Sequence, residues 1–294
     1  MLFLDFCATI SSGDVLGFLR DKGVLRRTYP CNKCGRSMAS GFFGGSQDGG
    51  MFRCAKCKTQ KSVRAGSFLV DCRLSLQKFA SLLYLLQTEI PYKYIAELLE
   101  IEANTVTDYA NLLREECSRD LIENADMLGG PGCIVQIDES LLAKAKRTRN
   151  NHARPIREQW IFGAYDVQRK VGMIELVDSR DAATLLPLIQ SWCLPGTIVV
   201  SDGWPAYTGL STLGFEHRVV IHEQHFVDPE TGGHTNNVEA YWQRCKRRFK
   251  RMYGTSRELL ASHIDEFLWQ ERHGKTFCTK FENMLGLLYN HYKE

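Results

Sequence analysis

The sequence predicts an α/β protein whose mixed β-sheet core follows a small cysteine-rich module and a small all-α region. Two CxxC pairs within residues 31–57 indicate the module, and apolar residues at helical spacing across residues 75–117 indicate the all-α region. After a Gly-Gly-Pro-Gly break at residues 129–132, strand-like and helix-like segments alternate, as they do in α/β proteins. The length of 294 residues fits about two domains.

Composition and charge narrow the class of protein. Hydrophobic residues make up 44% of the chain, no run of about 18 apolar residues exists, and the N-terminus lacks the features of a signal peptide. We therefore expect an intracellular protein without a membrane segment. Eleven cysteines, an odd number in a long chain, favour metal ligation in a reducing compartment over a disulfide framework. A net charge of +3 is too small to indicate a polyanionic partner. Evidence for such a partner has to come from where the basic residues cluster along the chain.

The cysteine-rich module has the spacing of a zinc ribbon. Cys31 and Cys34 form one CxxC pair, Cys54 and Cys57 form the other, and the residues 35–53 separate them. Two such pairs on neighbouring hairpins turn four thiolates toward one tetrahedral Zn²⁺ site. Four thiolates leave no open coordination position, so the predicted zinc is structural. Unligated core cysteines are the alternative, but this segment has few large apolar residues around which to fold.

The all-α region resembles a helix-turn-helix. After a first helix, Pro91 starts a shorter second one, and Asn104 or Thr105 is expected to cap a third over residues 105–116. In such an arrangement the third helix enters the major groove of DNA, with Thr105 and Thr107 near its start. Plain helical packing is the alternative, because the same helix carries three acidic residues that would repel phosphates.

The segment after the break predicts a mixed sheet with helices. Strand-like runs occupy residues 133–140, 159–166, 171–178, 197–202 and 216–222. A helix is expected over residues 181–193, and Thr235 or Asn236 is expected to cap a long helix. The predicted order is β-β-β-α-β-α-β-α.

Three acidic residues stand where this order would bring them together. Asp138 ends the first strand, Asp202 ends the fourth, and Glu239 lies on the helix after the fifth. Converging carboxylates need cations to remain ionised together, and hard Mg²⁺, or Mn²⁺ in its place, prefers such oxygen donors. The pattern therefore predicts a two-metal site for phosphoryl transfer.

Other acids and histidines nearby have simpler interpretations. Glu139 adjoins Asp138, and strand alternation sends the two side chains to opposite faces, so only one of them is expected to bind metal. Acids at other strand ends usually cap turns, and these are Asp166, Asp178 and Asp181. Histidines near a basic helix more often hold phosphate or pack than bind a transition metal, and these are His222, His225 and His234.

The sequence around the three acids resembles that of the DDE transposases of the Merlin superfamily. These enzymes are related to bacterial insertion-sequence transposases with an ISXO2-like core. The similar segments read VQIDES, VVSDGWPAY and HTNNVEAYWQRCK, and residues 203–238 give the family's final spacing. The resemblance covers roughly residues 130–275 and implies a ribonuclease H-like core with Asp138, Asp202 and Glu239 as the catalytic triad. It also implies cut-and-paste transposition, in which DNA is hydrolysed at the ends of the element and the freed 3′ ends are joined to target DNA.

Two blocks of residues match the motifs of that family. The first contains Gly203, Trp204 and Tyr207, and the second contains His234, Asn236, Trp242 and Lys246. On a helix, Glu239, Trp242 and Lys246 share one face, so a metal ligand, a stacking surface and a phosphate contact are expected to line up. The chain departs from relatives at Asn237 and at Ala240-Tyr241, and these departures leave the acids untouched.

Basic residues cluster on both sides of the acids. One run extends from Arg244 to Arg251 and a second from Lys144 to Arg157. Solvated faces explain one such run easily and both less easily, whereas contacts to DNA phosphates explain both. The DNA contacts predicted in the core are Lys144, Lys146, Arg147, Arg149, Arg154, Arg157, Trp204, His234, Asn236, Trp242, Lys246, Arg247 and Lys250.

The predicted organisation has five parts. These are an N-terminal helical segment (1–28), the zinc ribbon (29–72), the helix-turn-helix-like region (73–128), the catalytic core (130–275) and a C-terminal helix (276–294). Within them, the amphipathic segment 257–274 is expected to cover the core or to join subunits.

The expected partners follow from the resemblance. They are double-stranded DNA, as terminal inverted repeats and as target, and a second copy of the chain in a dimer or larger assembly. The protein would act in the nucleus of a eukaryotic host or in the cytoplasm of a bacterium. The alternatives are a domesticated DNA-binding protein derived from a transposase and another nuclease of the ribonuclease H fold.

Overall fold

The computed structural model of the chain describes residues 1–42, 45–46, 48–144, 158–220, 235–252 and 254–291. The chain divides into two compact units, one comprising Met1–Asp120 with His273–Glu294 and the other comprising Leu121–Arg272. In the described ranges, no helix combines the length and the apolar character needed to cross a membrane.

The elements are numbered in chain order. The α-helices are α1 (Phe3–Ser11), α2 (Val15–Asp21), α3 (Leu76–Leu86), α4 (Tyr92–Leu99), α5 (Ala103–Glu123), α6 (Ala182–Trp192), α7 (Asn236–Arg251), α8 (Leu260–His273) and α9 (Phe277–His291). The strands are β1 (Thr28–Pro30), β2 (Ser37–Phe42), β3 (Gly50–Arg53), β4 (Gln60–Ser62), β5 (Leu128–Gly129), β6 (Ile134–Ala143), β7 (Gln159–Asp166), β8 (Val171–Val177), β9 (Cys193–Leu194), β10 (Ile198–Ser201) and β11 (Glu216–Val219).

The first unit contains a four-stranded antiparallel sheet in the order β1-β2-β3-β4. One CxxC pair lies in the turn between β1 and β2, and the other lies in the turn between β3 and β4. The two turns have the same backbone pattern, since the amide of Cys31 donates to the carbonyl of Arg36 and that of Cys54 donates to Thr59, both at 2.9 Å. The hairpins predicted for the ribbon are therefore present.

Helices α3, α4 and α5 pack around a small core that includes Leu82, Ile95 and Val106. The three predicted helices are present, but the third differs from the expectation. It begins at Ala103, so neither Asn104 nor Thr105 caps it, and it continues to Glu123. The chain has no glycine or proline to stop the helix between these two ends.

The two ends of the chain meet in the first unit. The ring of Tyr84 on α3 stacks on Phe6 of α1 at 4.2 Å and meets Phe277 and Phe281 of α9 edge-on at 4.8 and 5.0 Å. The N-terminal and C-terminal segments, which the sequence separates into different parts, thus share one aromatic cluster.

The second unit is built on a five-stranded sheet in the order β11-β10-β6-β7-β8. Strands β6, β7 and β8 are antiparallel neighbours, whereas β10 runs parallel to β6 and β11 runs parallel to β10. This mixed sheet is ribonuclease H-like and confirms the predicted fold class. One expected element is different: two short 3₁₀ helices, Pro205–Tyr207 and Leu210–Leu213, connect β10 to β11 in place of an α-helix.

Each face of this sheet carries its own apolar core. On one face, Leu185 and Ile189 of α6 pack against side chains that include Ile137 and Phe162. On the other face, α7 and α8 pack together with side chains that include Ile161, in the cluster Ile161, Ile174, Val238, Tyr241, Trp242, Cys245, Phe249, Leu260, Ile264, Phe267 and Leu268. The segment predicted to cover the core or to join subunits therefore covers the core.

Candidate active site

Strand register brings two of the predicted catalytic acids together. In the parallel pair of β6 and β10, Ile134 faces Ile198 and Gln136 faces Val200. Continued by two residues, this register leads to Asp138 and Asp202, and the charge of Asp202 acts on Asp138. Their adjacency follows from the pairing of strands that lie far apart in the sequence. Asp138 does not end its strand as predicted, since β6 continues to Ala143, whereas Asp202 directly follows the last residue of β10.

Helix α7 lies along the face of β6 that carries Asp138. Indole Nε1 of Trp242 donates to Oδ2 of Asp138 at 3.1 Å, and Nζ of Lys246 donates to Oγ of Ser140 at 2.7 Å. Two strand residues rise by about 6.6 Å and four helix residues by about 6 Å. The spacing of side chains along the helix therefore matches that along the strand, and alternate residues of β6 contact successive turns of α7.

Gln136 fixes where α7 begins. Its side-chain Oε1 accepts hydrogen bonds from the backbone amides of Asn237 and Val238, both at 3.1 Å. The first amides of a helix have no partner within the helix, so this side chain takes the part of a cap. Thr235 is the N-cap residue, as predicted, but its hydroxyl bonds to Oε1 of Glu239 at 3.0 Å instead of capping the backbone.

The same contacts fix the position of Glu239 on α7. Glu239 lies in the first turn of α7, between the turn that Gln136 caps and the turn from which Trp242 reaches Asp138. Its own amide completes the helix start by donating to the carbonyl of Thr235 at 3.1 Å. The strand that carries Asp138 thus sets the position of the helix that carries Glu239.

Trp242 is a core residue and not a stacking surface. Only 2% of it is exposed, and it packs among the apolar side chains between the sheet and α8. It can approach the sheet closely because Gly163, the cross-strand partner of Asp138, has no side chain there. The expectation that Trp242 stacks on nucleic acid is therefore corrected: the indole is buried, and its polar atom binds Asp138.

We call Asp138, Asp202 and Glu239 the acidic cluster. Burial and nearby negative charges change the pKa of Asp138 in this cluster. Burial and the negative charges of Glu139 and Asp202 raise the pKa of Asp138 to about 7, although the Trp242 hydrogen bond acts in the opposite direction. Burial also lowers the pKa of Lys246, while the charge of Asp138 raises it. A lysine next to a crowded carboxylate partly offsets the repulsion in this cluster.

Glu139 points to the opposite face from Asp138, as strand alternation predicts. Its Oε1 accepts a 2.5 Å hydrogen bond from the hydroxyl of Tyr207, which is itself buried. Burial raises the pKa of Glu139, and the charge of Asp202 adds to that effect. Asp202 therefore stands between two acids that belong to opposite faces of the sheet.

The acidic cluster suits a hard divalent cation by its donor chemistry. Asp138, Asp202 and Glu239 offer carboxylate oxygens, which Mg²⁺ and Mn²⁺ prefer, and a cation would offset the repulsion between Asp138 and Asp202. In the described part of the chain, however, the one group of three or more potential ligands within 4.8 Å of one another is formed by four cysteines. The carboxylate oxygens of Asp138, Asp202 and Glu239 therefore do not all lie within 4.8 Å of one another.

The basic run on α7 has two parts with different surroundings. Arg244 donates to Glu271 at 2.8 and 3.0 Å, and Arg248 pairs with Glu266, so both connect α7 to α8. Other members of the run, including Arg247 and Lys250, are exposed. The predicted DNA contacts at Arg247 and Lys250 remain predictions, with their side chains accessible to a ligand.

The remaining predicted DNA contacts are distributed widely. Lys144 and Asn236 are exposed, and Trp204 is 39% exposed. Thr107 is exposed, and its hydroxyl donates to the carbonyl of Ala103. Thr105 is half-buried. The others lie outside the described residues, and these are Lys146, Arg147, Arg149, Arg154, Arg157 and His234, together with His222 and His225.

Two of the strand-end acids cap backbone, as predicted. Buried Asp166 accepts from the amides of Gly129 and Arg169 at 2.8 and 2.9 Å. Asp181 caps α6 by accepting from the amide of Thr184 at 2.9 Å. Asp178 is exposed.

The four cysteines of the first unit form a second candidate metal centre. Their sulfur atoms lie within 4.8 Å of one another, and Sγ of Cys34 is 3.6 Å from Sγ of Cys54. That separation is far from a disulfide bond and near the value of about 3.8 Å that a tetrahedron with Zn–S bonds of about 2.3 Å requires. The group therefore fits zinc.

Hydrogen bonds prepare some of these thiols to bind a cation. The hydroxyl of Thr59 and backbone amides lower the pKa of Cys31 to about 6, and the backbone amide of Cys57 lowers that of Cys54. Neighbouring sulfur atoms, chiefly that of Cys34, raise the pKa of Cys57 to about 12. A cation in the centre would remove this competition for protons.

Sequence reasoning missed three residues that shape the candidate active site. Gln136 caps α7, Ser140 holds Lys246, and Gly163 accommodates Trp242. Gln136 and Ser140 had a signal, since polar residues at alternate positions around Asp138 mark the face that α7 covers. Gly163 had none, because its role depends on an indole 79 residues further along the chain.

Comparisons with known proteins connect the second unit to one domain family. Residues 127–272 match the model of the ISXO2-like transposase domain. A transposase-like protein of Haemophilus influenzae is 28% identical over 95 residues, which are 32% of this chain and 76% of that protein.

Two solved structures are distantly similar. The catalytic core domain of BIV integrase is 16% identical with a TM-score of 0.33, covering 49% of this chain and 84% of its own. A chain of the Mos1 strand transfer complex is 14% identical with a TM-score of 0.30, covering 73% of this chain and 76% of its own.

Proposed function

Because residues 127–272 match the ISXO2-like transposase domain, we propose that the chain is a DDE transposase of the Merlin superfamily that moves DNA by a cut-and-paste reaction. The observation that carries the proposal is the parallel pairing of β6 with β10, which leads to Asp138 and Asp202, together with the hydrogen bonds that hold the helix of Glu239 against β6. The substrates are the terminal inverted repeats of an element and, afterwards, target DNA.

Asp138, Asp202 and Glu239 are the residues that would hold the divalent cations. When bound, two such cations supply an activated attacking oxygen and a stabilised leaving oxygen for in-line phosphoryl transfer. The protein's own contribution is positioning, since Trp242 orients Asp138 and Gln136 sets the start of α7. Lys246 offers positive charge beside Asp138 for a DNA phosphate.

The first unit supplies the recognition of DNA in this proposal. Zinc held by Cys31, Cys34, Cys54 and Cys57 would stabilise the small ribbon sheet. Helix α5 would present Thr107 to the major groove. Two ends must be held together for transposition, so a dimer or larger assembly acts, in the nucleus or in the bacterial cytoplasm according to the host.

Excision from a donor plasmid tests the proposal. The plasmid carries the inverted repeats that flank this gene, and excision with Mg²⁺ is compared between the wild type and Glu239→Gln. This substitution keeps an oxygen that accepts from Thr235, so it removes the charge with little structural change. Glu216→Gln is the matched control, since Glu216 starts β11 at the opposite end of the sheet from Asp202.

We expect excision by the wild type and by Glu216→Gln, and none by a Glu239→Gln variant that still binds the repeats. Equal excision by wild type and Glu239→Gln would remove Glu239 from the triad. Binding of the repeats without excision by any of the three proteins would favour a domesticated DNA-binding protein, and cleavage that does not depend on the repeats would favour another nuclease.

A further inference from the structure

Arg180 lies between two tryptophan rings at the edge of the sheet. Its guanidinium carbon is 3.8 Å from the centre of the Trp160 ring and 5.0 Å from that of Trp204. Indole Nε1 of Trp204 also donates to the backbone carbonyl of Arg180 at 2.9 Å. Cation–π contacts with two rings, together with this hydrogen bond to its backbone, hold the arginine in place.

Stacking leaves the hydrogen-bonding edge of a guanidinium available, because the N–H groups lie in its plane. Among the residues that the structure describes, the side-chain nitrogens of Arg180 form no hydrogen bond or ion pair. Two other arginines of this unit have carboxylate partners: Arg244 binds Glu271 and Arg169 binds Asp126. Arg180 is thus an ordered cation whose donors remain available for a ligand.

The position of Arg180 connects it to the acidic cluster. Trp204 touches both, since its backbone amide donates to Oδ1 of Asp202 at 3.0 Å while its indole binds Arg180. The charge of Arg180 acts on Glu139, whose pKa it lowers against the larger effect of burial. Arg180 is therefore close enough to the carboxylates to act on a group bound beside them.

Two cations approach the acidic cluster from opposite faces of the sheet. Lys246 binds Ser140, on the face that carries Asp138. Trp160 pairs with Leu141 across the strands, so it lies on the other face, the one that carries Glu139. A DNA strand that passes over the edge at Asp138 and Asp202 would meet positive charge on both sides.

We propose that Arg180 binds a phosphate of the DNA strand at the acidic cluster, on the opposite side from Lys246, with Trp160 and Trp204 as its support. The proposal rests on the proposed function for the identity of its ligand. A planar guanidinium fits a phosphate through two parallel hydrogen bonds. The alternative is that Arg180 only ties the loop of Trp204 to the sheet.

Salt dependence distinguishes these roles. Each phosphate contact contributes about 0.9 to the slope of log affinity against log salt, whereas a structural role leaves that slope unchanged. Binding of a duplex carrying the inverted repeats is measured in magnesium-free buffer across a range of salt, and cleavage is then measured with Mg²⁺. The variants are Arg180→Gln, Arg180→Lys and the control Lys170→Gln, which removes one exposed charge in the β7–β8 turn at the far end of the strands.

For Arg180→Gln we expect an affinity about 10- to 100-fold lower and a salt slope smaller by about 1, in a protein that still folds. Arg180→Lys keeps the slope but binds more weakly, because an ammonium group lacks the planar fork. Lys170→Gln matches the wild type.

Weaker binding by Arg180→Gln with an unchanged salt slope would overturn the proposal in favour of the structural role. Unchanged affinity, slope and cleavage in this variant, with a wild type that binds and cleaves, would overturn it while the proposed function stands. A wild type that binds no duplex at all would overturn the proposed function, and the role of Arg180 with it.

Discussion

Trp242 and Asp138 are joined by a hydrogen bond of 3.1 Å that connects the core of the second unit to its acidic cluster. The ring is almost fully buried, yet its single polar atom binds the carboxylate of a strand residue. Packing and chemistry therefore depend on the same side chain, and changes in the core beneath this ring are expected to affect the site above it.

Gly163→Ala tests the support under Trp242. A Cβ atom at this position would lie 2.3 Å from the Trp242 ring and from the backbone oxygen of Met173, so the indole and the strand cannot both stay in place. We expect a loss of about 2 kcal/mol in the free energy of unfolding, measured by urea denaturation. Gly203→Ala is the control, because its Cβ would meet only Val219, at 3.9 Å. Equal stability of the two variants would contradict the close approach of Trp242 to Gly163.

Gln136→Met tests the cap on α7. Methionine has a similar length but no strong acceptor, so the amides of Asn237 and Val238 lose their shared partner. We expect a loss of about 1 to 2 kcal/mol in stability and a larger proportional loss of excision, because Glu239 lies in the turn that is released. Hydrogen exchange at the start of α7 measures the effect directly. Protection equal to that of the wild type would show that the cap is dispensable.

The raised pKa of Asp138 predicts how stability depends on pH. The pKa of Asp138 is about 7 in the folded chain, mainly because of burial, and about 3.9 in an unfolded chain. Between these values the folded state binds the additional proton, so stability contributed by Asp138 is present below about pH 4 and is lost as pH rises to about 7. We expect the stability of Asp138→Asn to fall less than that of the wild type as pH rises from about 4 to about 7. The test is the difference between the melting temperatures of the wild type and this variant, followed across that pH range without divalent cations. A difference that is constant with pH would contradict the shift.

The cysteine centre predicts one zinc per chain. Cys54→Ser removes a buried thiol whose sulfur lies 3.6 Å from that of Cys34, and we expect loss of bound zinc and unfolding of the ribbon sheet. Cys133→Ser is the control, since Cys133 lies outside the group of four cysteines. Metal analysis of both purified proteins measures the result. Zinc retained in full by Cys54→Ser would show that the metal, if present, is held elsewhere.

The two cysteine turns predict opposite effects for matched substitutions. Gly35 and Lys58 each follow the second cysteine of a pair and each has a positive φ, of 68° and 59°. Glycine adopts this conformation without a Cβ penalty, whereas lysine does not. We expect Lys58→Gly to stabilise the zinc-loaded protein by about 1 kcal/mol and Gly35→Ala to destabilise it by a similar amount, measured by thermal unfolding. Effects of the same sign would contradict the equivalence of the two turns.

Local patterns predicted the elements of this chain well. The predicted strand 159–166 coincides with β7, and α6 differs from the predicted helix by one residue at each end. Alternation of side chains correctly separated Asp138 from Glu139. These features are local, because the period of a strand or helix and the chemistry of a cap depend on only a few neighbouring residues.

The sequence by itself determined the fold class and the spacing of the two cysteine pairs, and it predicted Asp138, Asp202 and Glu239 as the catalytic acids. Only the tertiary structure decided that Trp242 is buried and bound to Asp138, that Gln136 caps α7, and that Arg180 stands between Trp160 and Trp204. Each of these contacts joins residues at least 20 positions apart. Their geometry depends on the register of β6 against β7 and β10 and on the packing of α7, which no local pattern specifies.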